Sequence, residues 1–231
     1  MYCHYVFDDQ TDNFRRIISE LSSLGQFVST DRCLAMIRGD EPIDGRYFHL
    51  SFDDGFRNVI TNGLPVLKEY GVPAMLFVPT GLIDADYETV RDYCLNRTGY
   101  AGVIETVTWG DLERALEDGF DVGSHTRTHA RLSDVVDEDV LEDEIAGSRE
   151  DIQQKLGSDC PYISWPYGSP NDIDQRGISV VRRVGYHALF GAFRGSVQEG
   201  GATDQYFVPR HHFEVQWPVR HVKYFAKGHW E

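Results

Sequence analysis

The sequence predicts an α/β fold organised on a parallel sheet, open or closed into a barrel. Three observations carry this expectation: short apolar runs without helical period, amphipathic stretches at helical spacing between them, and Gly or Pro at many of the junctions. Strand-like and helix-like segments alternate nearly to the end of the chain, the pattern of βα units rather than of an antiparallel meander. With 231 residues, 41% hydrophobic and 26% charged, the chain has the length and make-up of an ordinary globular protein with a substantial core. No internal repeat or low-complexity segment divides it, so residues 1–231 read as one domain.

Cys3 to Phe7 is a short β-like run that carries His4. Thr11 and Asp12 open a helix with Phe14, Ile17, Ile18, Leu21 and Leu24 at helical spacing and Gly25 as its stop. Gln26 to Ser29 reads as a small strand, and Thr30 or Asp31 caps a second helix that ends near Gly39. Tyr47 to Arg57, YFHLSFDDGFR, is a buried strand ending in two adjacent carboxylates and a glycine. Gly55, without a Cβ, lets the chain turn sharply there. A helix over Leu64 to Tyr70, stopped by Gly71 and Pro73, precedes the buried-type strand Ala74 to Val78. Residues 81–106 lack strong periodicity, apart from a helix around Tyr87 to Leu95, and a connection this long is commonly a wall or lid over a site.

Thr108 caps the next helix, which Gly119 ends; the strand Phe120 to Gly123 runs straight into SHTRTH. A long acidic helix spans about Asp137 to Leu156. Tyr162 to Trp165 is strand-like and leads into PYGSP. A helix over Ile173 to Val184, a strand His187 to Phe190, a Gly-rich loop, a strand Tyr206 to Pro209 and a last helix near Val219 to Phe225 complete the order.

The balance of 22 basic against 37 acidic residues, a net charge of −15, argues against a nucleic-acid partner, which needs clustered Lys and Arg. It also favours a neutral or cationic ligand over a polyanion. No stretch approaches the roughly 20 apolar residues of a membrane span, and MYCHYVFDDQ lacks the regions of a secretory signal, so a cytoplasmic location is expected. Four dispersed cysteines without CxxC spacing are expected to be free thiols.

In a parallel α/β architecture the functional loops lie at the carboxyl ends of strands. Three predicted strands end in groups able to converge there: Asp53 and Asp54; His125 and His129; and Pro166, Tyr167 and Gly168. Two histidines four apart, joined by one carboxylate, form a donor set for a metal that leaves positions open for water.

SFDDG, SHTRTH and WPYG stand in the order and approximate spacing of the NodB-homology polysaccharide deacetylases, carbohydrate esterase family 4, which the chain resembles over nearly its whole length. That resemblance implies a deformed (β/α) barrel of about seven parallel strands. It implies a hydrolase that removes the N-acetyl group of an amino sugar in a polysaccharide or its precursor and depends on a divalent metal, usually Zn2+. Asp54, His125 and His129 would be the metal ligands and Asp53 the general base. The Tyr167 backbone N–H would assist in stabilising the oxyanion.

The chain departs from the family's third motif, Arg-x-Pro-Tyr, whose arginine orients the catalytic aspartate: Ser164 stands in its place. Arg210, in VPRHHF, is the expected substitute, since similar relatives that deacetylate extracellular poly-N-acetylglucosamine carry a Pro-Arg at the end of a late strand. The family's Leu-x-His, source of the general acid, has no clear counterpart. His211 and His212 follow Arg210, and strand alternation turns only one of them toward the site; His187 is a third candidate. His4, Trp165 and Pro166 are expected to line the substrate pocket, with Trp217 a further stacking surface. The alternatives are an O-deacetylase or amide hydrolase using the same machinery, and a degenerate barrel that binds glycan or metal without turnover.

Overall fold

The computed structural model describes residues 1–197 and 206–228. The expected Gly-rich loop falls largely on residues 198–205, outside the described residues. The strands are β1 (Tyr2–Cys3), β2 (Gln26–Phe27), β3 (Tyr47–Phe48), β4 (Ser51–Phe52), β5 (Met75–Val78), β6 (Asp121–Ser124), β7 (Tyr162–Ser164), β8 (Ala188–Phe190) and β9 (Phe207–Val208). Seven of them form one sheet in the order β1-β4-β5-β6-β7-β8-β9, every pair parallel. A parallel bridge between Tyr2 and His212, made by Tyr2 N–H to His211 O and Phe213 N–H to Tyr2 O, ties the segment after β9 back to β1. The curled sheet with helices around it is a deformed (β/α) barrel.

The helices follow from sequence signals that are local. Helix α1 (Thr11–Ser22) buries Phe14, Ile17, Ile18 and Leu21 on one face. Helix α2 (Thr30–Arg38) is capped by the Ser29 hydroxyl and closed by Gly39 in the left-handed region. Helix α3 (Leu64–Tyr70) ends on Gly71 with φ +64°, and α4 (Tyr87–Asp92) lies in the long connection. In α5 (Trp109–Glu117) Thr108 and Asp111 exchange hydrogen bonds as a capping box. Helices α6 (Glu138–Glu142), α7 (Ser148–Leu156), α8 (Gln175–Val184) and α9 (Val219–Ala226) complete the layer.

Three expected elements differ. The opening strand is split: Tyr47–Phe48 pairs with Gln26–Phe27 in a separate two-stranded sheet, and only Ser51–Phe52 enters the barrel. Between them buried His49 turns inward, its Nε2 3.0 Å from the Thr30 hydroxyl. The first strand stops at Cys3, because side chains take over its backbone partners: Asn58 accepts from Val6 N–H and Asn62 donates to Val6 O. The acidic helix is interrupted at Asp143–Gly147 by a wide π-turn between α6 and α7, a feature often found beside functional sites. Among the described residues no helix is long and apolar enough to cross a membrane.

Candidate active site

The sheet delivers chemistry at one end. Asp53 and Asp54 follow β4, His125 follows β6, Trp165 to Tyr167 follow β7, His4 follows β1 and Arg210 lies just beyond β9. These are carboxyl ends of parallel strands, where loops are free to carry function while the strands hold them. They surround a pocket of about 140 Å³ lined by Asp53, Asp54, His125, His129, His4 and Tyr167, with Tyr100, Thr98, Trp165, Tyr2 and Ala192 filling the remaining wall.

Asp53 and Asp54 point to different partners because the backbone twists between them. Asp54 has φ +72° and Gly55 φ +66°, two successive left-handed residues, of which only the glycine adopts this conformation without steric cost. Asp54 Oδ1 lies 3.4 Å from His125 Nε2 and 3.2 Å from His129 Nε2. Its other oxygen accepts a 2.7 Å hydrogen bond from the Tyr100 hydroxyl. Burial alone would raise the Asp54 carboxyl, but the adjacent imidazoles, His129 first, hold it well below the usual range.

The histidine loop is strained and braced. Thr126 has φ +64° and His129 φ +62°, each costing about 1–3 kcal/mol unless the surroundings enforce it. The brace is Glu144, buried on the π-turn, which accepts from Arg127 N–H (3.1 Å), Thr128 N–H (2.9 Å) and the Thr128 hydroxyl. Asp151 adds a bidentate grip on the Arg127 guanidinium and accepts from Thr80. His125 Nδ1 lies 2.7 Å from Ser164 O; a carbonyl only accepts, so Nδ1 carries the proton and Nε2 presents its lone pair to the pocket.

Donor atoms on one tetrahedral ion with bonds near 2.0–2.2 Å stand roughly 3.4 Å apart. The Asp54 and histidine contacts match that spacing, and the fixed His125 tautomer suits ligation. The residues therefore fit a divalent metal, held by Asp54, His125 and His129.

Arg210 occupies the support position beside Asp53. Its guanidinium, 2% exposed with the rest of the residue, donates to Asp53 Oδ1 and Oδ2, both at 2.7 Å. Ser51 Oγ (2.9 Å), Ser164 Oγ (2.7 Å) and Gly191 O (2.8 Å) accept its remaining N–H groups. All five donors of the fork thus have acceptors, and the Tyr2 ring lies under the cation at 4.5 Å. Ser164 leaves room for this side chain to arrive from β9 and also bonds it. Burial pushes the Asp53 carboxyl up, but Arg210 and then His125 outweigh it and leave it below the ordinary value.

Tyr167 sits at φ +63° with its ring 5.2 Å from that of His129, and the Arg131 guanidinium lies over the ring at 4.1 Å. Next to it Gly168 is irreplaceable on space alone, since a Cβ there would meet the Ala192 Cβ at 2.2 Å. Trp165 is a core residue: it is 1% exposed, and its indole N–H is spent on Ser169 O, so little of it reaches the pocket. Pro166 is buried and outside the pocket wall.

The late histidines are placed differently from the sequence expectation of a proton donor. Strand alternation sends His211 away from the pocket. Its ring packs on Phe225 at 4.5 Å beside a separate 450 Å³ cavity that holds neither aspartate, and burial lowers it to about 4. His212 stands behind His4, ring centroids 5.1 Å apart, with Trp217 against its other side, so neither His212 nor Trp217 lines the pocket. His187 precedes β8, the wrong end of the strand. His4 is the imidazole that lines the pocket wall without contributing to the donor set. Tyr100 and Glu144 escaped the sequence reading. An acidic residue flanked by Leu141, Ile145 and Ser148 on the buried side of a helix was the available signal for Glu144.

A family model for polysaccharide deacetylases matches residues 40–189, and the chain belongs to that family. No curated protein matches the sequence significantly. Among solved structures, IcaB from Ammonifex degensii superposes with a TM-score of 0.78 at 19% identity, covering 98% of this chain and 94% of that one. The Streptococcus pyogenes deacetylase PplD, in complex with acetate, gives 0.75 at 17% identity, covering 96% and 95%. A de-N-acetylase from Aggregatibacter actinomycetemcomitans gives 0.74 at 18%, covering 97% and 98%. At these identities the likeness is one of fold.

Proposed function

We propose that this chain is a metal-dependent N-deacetylase that hydrolyses the acetamido group of an amino sugar in a polysaccharide or polysaccharide precursor, releasing acetate and a free amine. The observation that carries the reading is the division of labour between adjacent carboxylates: Asp53 is held by Arg210, and Asp54 is turned to two imidazoles. Asp54, His125 and His129 would hold a divalent ion, zinc by the N/O character of the set, which when bound would supply Lewis-acid polarisation of the acyl oxygen and a more acidic water.

The chain's own groups do the rest. Asp53, anionic and fixed by two charge-assisted hydrogen bonds, keeps lone pairs free to take the proton of the attacking water. The Tyr167 N–H donates to the developing oxyanion. His4 delivers a proton to the departing nitrogen, replacing His211 and His212 in that role. A pocket of 140 Å³ is smaller than the roughly 300–1,000 Å³ of sites that engulf a ligand; it suits one acetamido group with the sugar at the mouth beside exposed Tyr167. The net charge of −15 favours a neutral substrate and a cationic product over a polyanion.

Acetate release from N-acetylglucosamine oligomers, with an O-acetylated glycan in parallel, tests this. Turnover on the N-acetyl substrate is expected to vanish with a chelator and return with zinc. Asp53→Asn is expected to keep the metal and lose at least about 100-fold in turnover. Release that survives the chelator, or preference for the O-acetyl substrate, overturns the reading.

A further inference from the structure

We infer that His4, His212 and Glu214 form a second divalent-cation site behind the His4 wall of the pocket, and that filling it halts turnover by occupying His4. The second half of this statement rests on the reading of His4 as the proton donor above; the first half does not.

The three residues meet because the barrel closes where it does. His4 follows β1, and the Tyr2–His212 bridge lays the segment after β9 alongside it. Alternation along that segment then puts His212 and Glu214 on one side and sends Phe213 into the core, fully buried. One donor atom from each of His4, His212 and Glu214 lies within 4.8 Å of the other two. The set shares no residue with Asp54, His125 and His129.

The donor atoms of this set approach one another closely. His212 Nε2 is 3.1 Å from Glu214 Oε1, at ion-pair distance, and Tyr5 also hydrogen-bonds the Glu214 carboxylate. The first donor set shows the same close approach, with Nε2 atoms 3.2 and 3.4 Å from Asp54 Oδ1. Two imidazoles and one carboxylate suit zinc, cobalt or nickel. The side chains of His212 (31% exposed) and Glu214 (21%) are partly exposed.

Metal-stripped full-length protein titrated with Zn2+ against a chromophoric chelator tests the site directly. The parent is expected to bind two ions, Glu214→Gln and His212→Asn one each, and Asp54→Asn also one. In the parent a tenfold molar excess of zinc is expected to cut turnover at least tenfold relative to one equivalent, and in Glu214→Gln the ratio of the two rates is expected to stay near one. Circular dichroism qualifies each variant, with His212→Gln as the replacement if one fails to fold. A parent that binds a single ion, lost in Asp54→Asn, overturns the second site and leaves the proposed function standing. Two ions that both persist in Glu214→Gln and His212→Asn also overturn it. Zinc binding unaffected by Asp54→Asn counts against the first site instead. Two ions without inhibition retain the site and remove its role at His4.

Discussion

The two neighbouring carboxylates inhabit opposite kinds of surroundings. Around Asp53 the protein has closed every valence it can: all five Arg210 N–H groups have acceptors, two of them the carboxylate itself. Around Asp54 two imidazole nitrogens approach one oxygen, and His129 Nδ1 is buried with no partner among the described residues. A saturated ion pair fixes geometry and holds one ionisation state. A set of donors left facing one point is incomplete by itself and is completed by a cation. Under the proposed function the buried arginine serves the base, and the second carboxylate is left to hold the ion.

Removing the arginine breaks this contrast most completely. Arg210→Ala strands a buried carboxylate, for which loss of about 3–5 kcal/mol of stability is expected by denaturant unfolding. The sign with pH follows. Asp53 is held below its ordinary 3.8, so the stability it contributes is present in full above the unfolded pKa and lost as pH falls through the lower folded value. Without Arg210 burial dominates and raises the carboxyl, so in the variant the acidic limb of the pH–rate profile shifts upward and turnover near neutrality falls. A variant whose acidic limb coincides with that of the parent removes Arg210 from the positioning of Asp53.

A smaller effect is expected one layer out. Glu144→Ala frees two backbone N–H groups that hold the histidine loop, at a cost of about 2 kcal/mol. Positive φ at Thr126 and His129 then loses its enforcement, and metal affinity is expected to fall by about 10–100-fold, the scale of outer-partner losses. Zinc competition measures this. Unchanged affinity with lowered stability makes Glu144 a fold residue only.

Much of this was legible in the sequence, and what was not has physical reasons. The alternation of elements, the Thr108 cap and the Gly stops at 39 and 71 are local signals, and local signals fix helices and strands. The pairing of Arg210 with Asp53, 157 residues apart, was anticipated from a family pattern; residue periodicity carries no such information. The π-turn at Asp143–Gly147 has no signature in hydrophobic spacing, since Val140, Leu141 and Ile145 suit an ordinary helix equally well. The split at His49 arises from tertiary contact with Thr30. The choice among late histidines depended on register after β9, which the Tyr2–His212 bridge sets. A one-residue shift there exchanges His211 with His212.

The finest distinction concerns Tyr100, brought by the long connection to Asp54 Oδ2 at 2.7 Å. Burial and the adjacent Asp54 carboxylate push its hydroxyl far above the ordinary value, so it remains a donor throughout the working pH range and its bond does not titrate. That bond occupies the Asp54 oxygen which does not face the histidines, and so fixes which oxygen is offered to the ion. Tyr100→Phe preserves the ring, which packs edge-on to Phe56 at 5.2 Å, and removes only the donor. About 1 kcal/mol of stability is expected to be lost, together with roughly tenfold in zinc affinity, while the acidic limb of the pH–rate profile, set by Asp53, stays in place. A shift of that limb in Tyr100→Phe would mean that the two carboxylates are not separately controlled, and the contrast between them would have to be redrawn as one coupled network.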